Sequence, residues 1–172
     1  MSTVVASSSP LTLDEFNAVE TAEARRILGA CLDIERWVSE VEAGRPYPDE
    51  QSLRAAAAAS AEEISWAEVA GALARHPRIG EKATGDAGDV ALSAAEQAGV
   101  TPSDAAALAT GNVAYEQRFG YIYLICATGL SGAQMVAALQ ERLGHDDEQE
   151  RLVVISELQK ITALRLAKAV VA

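Results

Sequence analysis

The chain has 172 residues, 49% of them hydrophobic, 23% charged and 5% aromatic, enough apolar material for one ordinary domain with a sizeable core. Fourteen Lys and Arg against 25 Asp and Glu leave a formal charge of −11, so a nucleic-acid backbone meets a repulsive average surface, and no local basic patch offsets it. No stretch approaches the ~20 uninterrupted apolar residues of a membrane helix. Neither the basic nor the apolar region of a secretory signal opens the sequence, which predicts a cytoplasmic protein with no membrane partner.

Residues 1–10 are Ser-rich, end at Pro10 and read as a flexible tail; residues 11–172 read as one helical domain. Thr12 with Glu15 has the spacing of a capping box, repeated at Ser65 with Glu68 and at Ser93 with Glu96, so each marks a helix start. Between Thr21 and Ala43, Ile27, Ile34, Trp37, Val38 and Val41 fall at helical steps and predict an amphipathic helix that Gly44, Pro46 and Pro48 interrupt. Residues 50–75 are Ala-rich and predict two helices broken near Ser65, the second ended by His76-Pro77. Gly80 to Asp89 reads as a loop, followed by a short helix over Leu92 to Gln97 that stops at Gly99. Thr101-Pro102 starts a helix running to Arg118, closed by Gly120. The apolar run Tyr121 to Ala127 fits a strand or a buried helix equally well. Two further helices follow, over Ser131 to Leu143 and Asp147 to Val171, separated at Gly144. About eight helices and at most one strand-like stretch, near 121–127, predict an all-α fold in one compact domain.

Few residues stand out as chemistry. His76 sits at a helix exit, where it is either a general acid favoured by the helix C-terminus or a surface capping residue. His145, in Gly-His-Asp-Asp, reads as a solvated turn residue. Ser93, Glu96 and Gln97 share one helical face and either bind a hydrogen-bond-rich ligand or, for the first two, merely cap the helix. Val154, Leu158, Ile161 and Arg165 form one stripe, so the guanidinium needs a bound anion or an internal Glu, unless its stem snorkels outward. Asn112, Tyr115 and Phe119 share a face and line either a pocket or the core. Cys31 and Cys126 read as buried reduced thiols, and without CxxC or HxxH pairs a metal site has no support. Gly80 to Gly85 has the span of a P-loop but lacks its Lys-Ser/Thr, which leaves no signal for a nucleotide.

In order, the chain carries His76-Pro-Arg-Ile-Gly-Glu81, Ser93-Ala-Ala-Glu-Gln-Ala-Gly99, Asn112-Val-Ala-Tyr115, Arg118-Phe-Gly-Tyr-Ile-Tyr-Leu-Ile125 and Glu157-Leu-Gln-Lys-Ile-Thr-Ala-Leu-Arg-Leu166. In these blocks, over about residues 65–170, it resembles the 2-oxo-4-hydroxy-4-carboxy-5-ureidoimidazoline (OHCU) decarboxylases of urate catabolism. The resemblance implies an all-α, cofactor-free, homodimeric enzyme that converts OHCU to (S)-allantoin. It implies catalytic roles for His76, Glu96 and Arg165, and substrate contacts for Pro77, Ser93, Gln97 and the segment Tyr121, Ile122, Tyr123, Leu124 and Ile125, the last through main-chain groups. Tyr121-Ile-Tyr123 stands where many relatives have a Phe-Pro-Phe-like sequence, Ala127-Thr-Gly129 where they have Ala-Arg-Gly, and Gly144-His145-Asp146 where Asn-Asp is common. Two other readings stay open: the same fold acting on a different ureido or hydroxy-acid substrate, which a substrate panel separates, and a non-catalytic helical dimer that binds a ligand or partner.

Overall fold

Thr12 turns the chain into its first helix by accepting from the Glu15 N–H while the Glu15 carboxylate accepts from Thr12, the expected capping box. In the computed structural model, which describes residues 9–80 and 98–172, eight helices follow among the described residues. They are α1 (Leu13–Ala18), α2 (Thr21–Cys31), α3 (Glu35–Ala43), α4 (Glu50–Glu62), α5 (Trp66–Leu73), α6 (Pro102–Phe119), α7 (Gly132–Arg142) and α8 (Asp147–Ala169). The architecture is all-α. Caps at Asp49, Ser65, Thr101, Ser131 and Asp146 set the starts of α4 to α8. The helix predicted over Leu92 to Gln97, the loop before it from residue 81 onward and the capping pair Ser93/Glu96 lie outside the described residues.

The amphipathic stretch from Thr21 to Ala43 is two helices rather than one. Leu32 (φ −152°, ψ 112°) and Ile34 (φ −128°, ψ 112°) are extended and buried. Folding back there lets the buried face of α3 (Trp37, Val38 and Val41) pack on α2 and α4, with Trp37 Nε1 donating to Ala57 O at 2.9 Å. A residue remote in sequence meets the break: Arg75 Nη2 donates to Asp33 O at 2.8 Å. Periodicity within the stretch carries no trace of such a partner.

The last helix also stops short of its predicted end. Val170–Val171 leave α8 as β2 and pair in parallel with Leu11–Thr12, which form β1, in the register Leu11 with Val170 and Thr12 with Val171. Strands of two residues are too short for alternation to reveal. The apolar run 121–127 forms neither helix nor paired strand. It lies between two core clusters and serves both. Ile122 and Leu124 belong to the larger cluster, built on α1 to α5 and α8, while Tyr123 and Ala127 belong to the smaller one with Leu108, Tyr115, Met135 and Leu139. Ile122, Tyr123 and Leu124 thus alternate between the two clusters, and both are apolar. Among the described residues no helix is long and apolar enough to cross a membrane.

Gly120 ends α6 in the left-handed region (φ 81°), its N–H donating to Glu116 O at 2.9 Å, and so aims the chain into the 121–127 run. Gly120→Ala meets no steric obstacle within 4 Å, so its cost is conformational, about 1 kcal/mol. Urea unfolding of the two proteins reads the difference, and equal midpoints contradict the role of the left-handed turn.

Candidate active site

Helix α5 ends at Leu73, and the turn after it is closed by Arg75 N–H to Ala72 O and His76 N–H to Leu73 O, both 3.1 Å. Pro77 has no N–H with which to continue the helix. His76 therefore stands just beyond the α5 terminus, half-buried, as its position beside proline predicts. Its neighbours are fixed on both flanks. Arg75 pairs with the Asp33 carboxylate and carbonyl at the α2–α3 junction. On the other side Asn112 Nδ2 donates to Ile79 O at 3.1 Å, and Arg78 Nη2 to Glu116 Oε2 at 2.9 Å, both partners lying on α6. The Arg78 bond holds the Glu116 carboxyl below the usual carboxylate range, against the opposing effect of burial. An open cleft of about 550 Å³ runs along this face of α6, lined by Arg78, Ala109, Asn112, Val113, Glu116 and Gln117.

Arg165 is only 7% exposed, so its stem does not snorkel. Its Nη1 donates to Ala30 O at 3.1 Å, one of the carbonyls that the last turn of α2 leaves without an intrahelical partner. A cation at a helix C-terminus is electrostatically favoured. Arg165 on Ala30 and Arg75 on Asp33 thus gather at one end of α2, which brings the His76 turn and Arg165 to the same junction.

The 121–127 segment is held by α5, α7 and α8. Tyr121 packs edge-on against Trp66, ring centroids 4.9 Å apart, and Tyr123 Oη donates to Met135 O at 3.0 Å. Arg142 Nη1 donates to Leu124 O at 2.7 Å, and Cys126 N–H donates to Glu157 Oε2 at 2.8 Å. Glu157 and Arg165 lie two helical turns apart on α8, about 12 Å along the axis. Among the described residues the main-chain N–H groups of Ile122 to Ile125 meet no protein acceptor, although Ile122, Tyr123 and Leu124 are buried. Buried donors are normally paired, so these depart from the usual pattern. Of the predicted site residues, His76, Pro77, Arg165 and 121–125 are described; Ser93, Glu96 and Gln97 lie outside the described residues.

One sequence expectation fails here. His145 is not a solvated turn residue: Nδ1 lies 2.8 Å from Oε2 of Glu150, a carboxylate with no exposed surface. Glu150 also accepts from Tyr115 Oη and from Arg142, whose Nε approaches to 2.7 Å. Tyr115 belongs to the interior, while Asn112 is buried and also borders the cleft. Burial, then the Glu150 hydrogen bond, pushes the Tyr115 hydroxyl well up; burial, then the Glu150 charge, raises Tyr121; burial raises Tyr123. All three stay neutral at ordinary pH. For Arg142 burial pulls downward, but the Glu150 partnership outweighs it and the guanidinium is held above its usual range. Arg142 and Glu150 escaped the sequence reading, yet the signal was present. Met135, Leu139 and Arg142 form an apolar stripe ending in a charge, as do Glu150, Val154 and Leu158, the pattern that exposed Arg165.

A family model described as OHCU decarboxylase matches residues 17–167. The chain belongs to the OHCU decarboxylase family. The match reaches into α1 to α4, beyond the motif blocks. The chain is 26% identical over 160 residues to the 2-oxo-4-hydroxy-4-carboxy-5-ureidoimidazoline decarboxylase of Haloferax volcanii, covering 92% of this chain and 95% of that protein. It is 33% identical over 128 residues to the protein of the same name from Amia calva, covering 72% and 73%. A crystal structure of OHCU decarboxylase in the presence of (S)-allantoin superposes with a TM-score of 0.71 at 26% identity, over 87% of this chain and 97% of that one.

The Arg78–Glu116 pair fastens the His76 turn of this OHCU decarboxylase family member to α6, and it titrates. Arg78→Ala is expected to return the Glu116 carboxyl toward the ordinary range. A carboxyl depressed by folding adds stability above its unfolded value and loses it as pH falls through the folded one, so the variant also loses part of the wild type's acid-side stability slope. Carbon-detected NMR titration of Glu116 checks this; an unchanged titration contradicts Arg78 as the cause.

Proposed function

We infer that the protein decarboxylates OHCU to (S)-allantoin in urate degradation. The family match over residues 17–167 carries this reading, and the junction that gathers the His76 turn and Arg165 supports it. Loss of CO₂ breaks one C–C bond and leaves its electron pair on the substrate, whose own carbonyl and ring nitrogens delocalise it. The protein's task is to orient that substrate, stabilise the developing anion and deliver one proton.

In this reading Arg165 receives the anionic edge, since its guanidinium stays charged and its planar fork suits two oxygens. His76 delivers the proton from one fixed face, which sets the S configuration, and Glu96 orients His76 or accepts from the substrate's hydroxyl and ureido groups. The N–H groups of Ile122 to Ile125 bind substrate oxygens, and Pro77, Ser93 and Gln97 complete the contacts. Two copies of the chain assemble as a homodimer, and the cytoplasm is its location.

The test is to generate OHCU in situ from urate, add the protein and follow product optical activity by circular dichroism. Rapid formation of one allantoin enantiomer is expected; slow racemic decay equal to the protein-free control rejects the activity and promotes a different ureido substrate. In the same assay His76→Ala is expected to lose about 10²-fold or more in rate, and near wild-type turnover removes His76 as the acid. Glu96→Gln is expected to lower kcat more than it weakens binding; an unchanged kcat contradicts its role.

A further inference from the structure

The polar cluster in the smaller core does no chemistry in the mechanism above, yet it touches the segment that does. Arg142 is 5% exposed and spans two acceptors at once: Nη1 reaches Leu124 O at 2.7 Å, and Nε reaches Glu150 Oε1 at 2.7 Å. Its guanidinium lies 4.8 Å from the Tyr123 ring centroid and 5.8 Å from that of Tyr115. Glu150 is saturated in turn, Oε1 by Arg142 and Tyr115 Oη, and Oε2 facing His145 Nδ1. His145 is held through its carbonyl, which accepts from Arg118 at 3.2 Å.

A buried ion pair is a poor way to gain stability, because apolar residues of similar volume often do as well or better. Its strength is geometric: a planar guanidinium locked to a fixed carboxylate cannot let its second acceptor wander. That acceptor is a carbonyl in the middle of the segment whose N–H groups are unpaired. We propose that Arg142 is a positioning residue for substrate binding, its guanidinium locked by Glu150 so that the Leu124 carbonyl, and with it the peptide units from Ile122 to Ile125, is held in the orientation that receives the ligand. Glu157 holds the far end of the same segment through the Cys126 N–H. The proposal rests on the reading of 121–125 as a substrate-binding segment, and the two parts separate experimentally.

Two variants make the test. Arg142→Lys keeps the charge but cannot bridge both acceptors, and Tyr115→Phe keeps the ring and removes one hydrogen bond from Glu150, so it serves where the lysine variant does not fold. The first readout is the ¹H–¹⁵N spectrum without substrate. The Ile125 amide shares its peptide unit with the Leu124 carbonyl, so the amides of Ile122 to Cys126 are expected to shift more than those of α1 to α4. The second is steady-state decarboxylation of OHCU well below the unfolding transition, where KM is expected to rise about five-fold with kcat within about two-fold, as the loss of uniform binding requires.

Unmoved amides in a folded variant overturn the positioning role. Shifted amides with unchanged KM overturn its link to binding, and a fall in kcat alone, tracking a smaller folded fraction, marks a merely structural pair. If the wild-type protein does not decarboxylate OHCU, the functional reading fails while the spectrum still decides whether Arg142 orients the segment.

Discussion

A carboxylate with no exposed surface, Glu150, sits in the interior and organises the half of the molecule formed by α6, α7 and the start of α8. Burying a charge is tolerable only when it is paired and hydrogen-bonded throughout. Glu150 meets that demand by drawing Arg142 from α7, Tyr115 from α6 and His145 from the turn before its own helix. Three helices are thus referenced to one group. Satisfying Glu150 also orders Arg142, and an ordered Arg142 has a donor to spare for Leu124. In this way an electrostatic requirement of the interior reaches the main chain of the 121–127 run.

That run explains why this all-α protein needs an irregular stretch. A helix would consume its own N–H groups, and a paired strand would give them to a neighbour. An irregular chain between two apolar clusters is held by its side chains instead, Ile122 and Leu124 in one cluster and Tyr123 and Ala127 in the other. Its polar tethers come from charged side chains, a guanidinium on one carbonyl and a carboxylate on one N–H. Among the described residues the N–H groups of Ile122 to Ile125 are left without a protein acceptor. The same economy operates at α2, whose unpaired terminal carbonyl at Ala30 meets Arg165.

Much of this was legible before any coordinates. The capping pairs at Thr12 and Ser65, Thr101-Pro102 and Gly120 are local chemistry, and each marks a helix boundary in the structure. The blocks around His76, Asn112, Arg118 and Arg165 were legible as a family pattern, and the family match agrees with them. Less was legible where the deciding partner is distant. At the break between α2 and α3 the main chain is met by Arg75, some forty positions away, and a stretch of apolar residues at helical steps reads the same whether bent or straight. His145 looked like a turn residue because its partner Glu150, although close in sequence, is identified as buried only by the packing of α6 and α7 around it.

Sequence alone settled the helical class and most helix starts, because caps, proline, glycine and amphipathic spacing act within one or two turns. It also carried the family pattern, since that is a matter of residue order. Tertiary structure alone decided that Tyr121 to Ala127 lies between two cores as neither helix nor paired strand, and that Arg75, beside His76, and Arg165 both bond main chain at the end of α2. It alone made Arg142 and Glu150 a clamp instead of two surface charges. The reason is physical: the free energy of a charge or an unpaired N–H depends on what surrounds it in space, and contacts among residues remote in sequence set that environment.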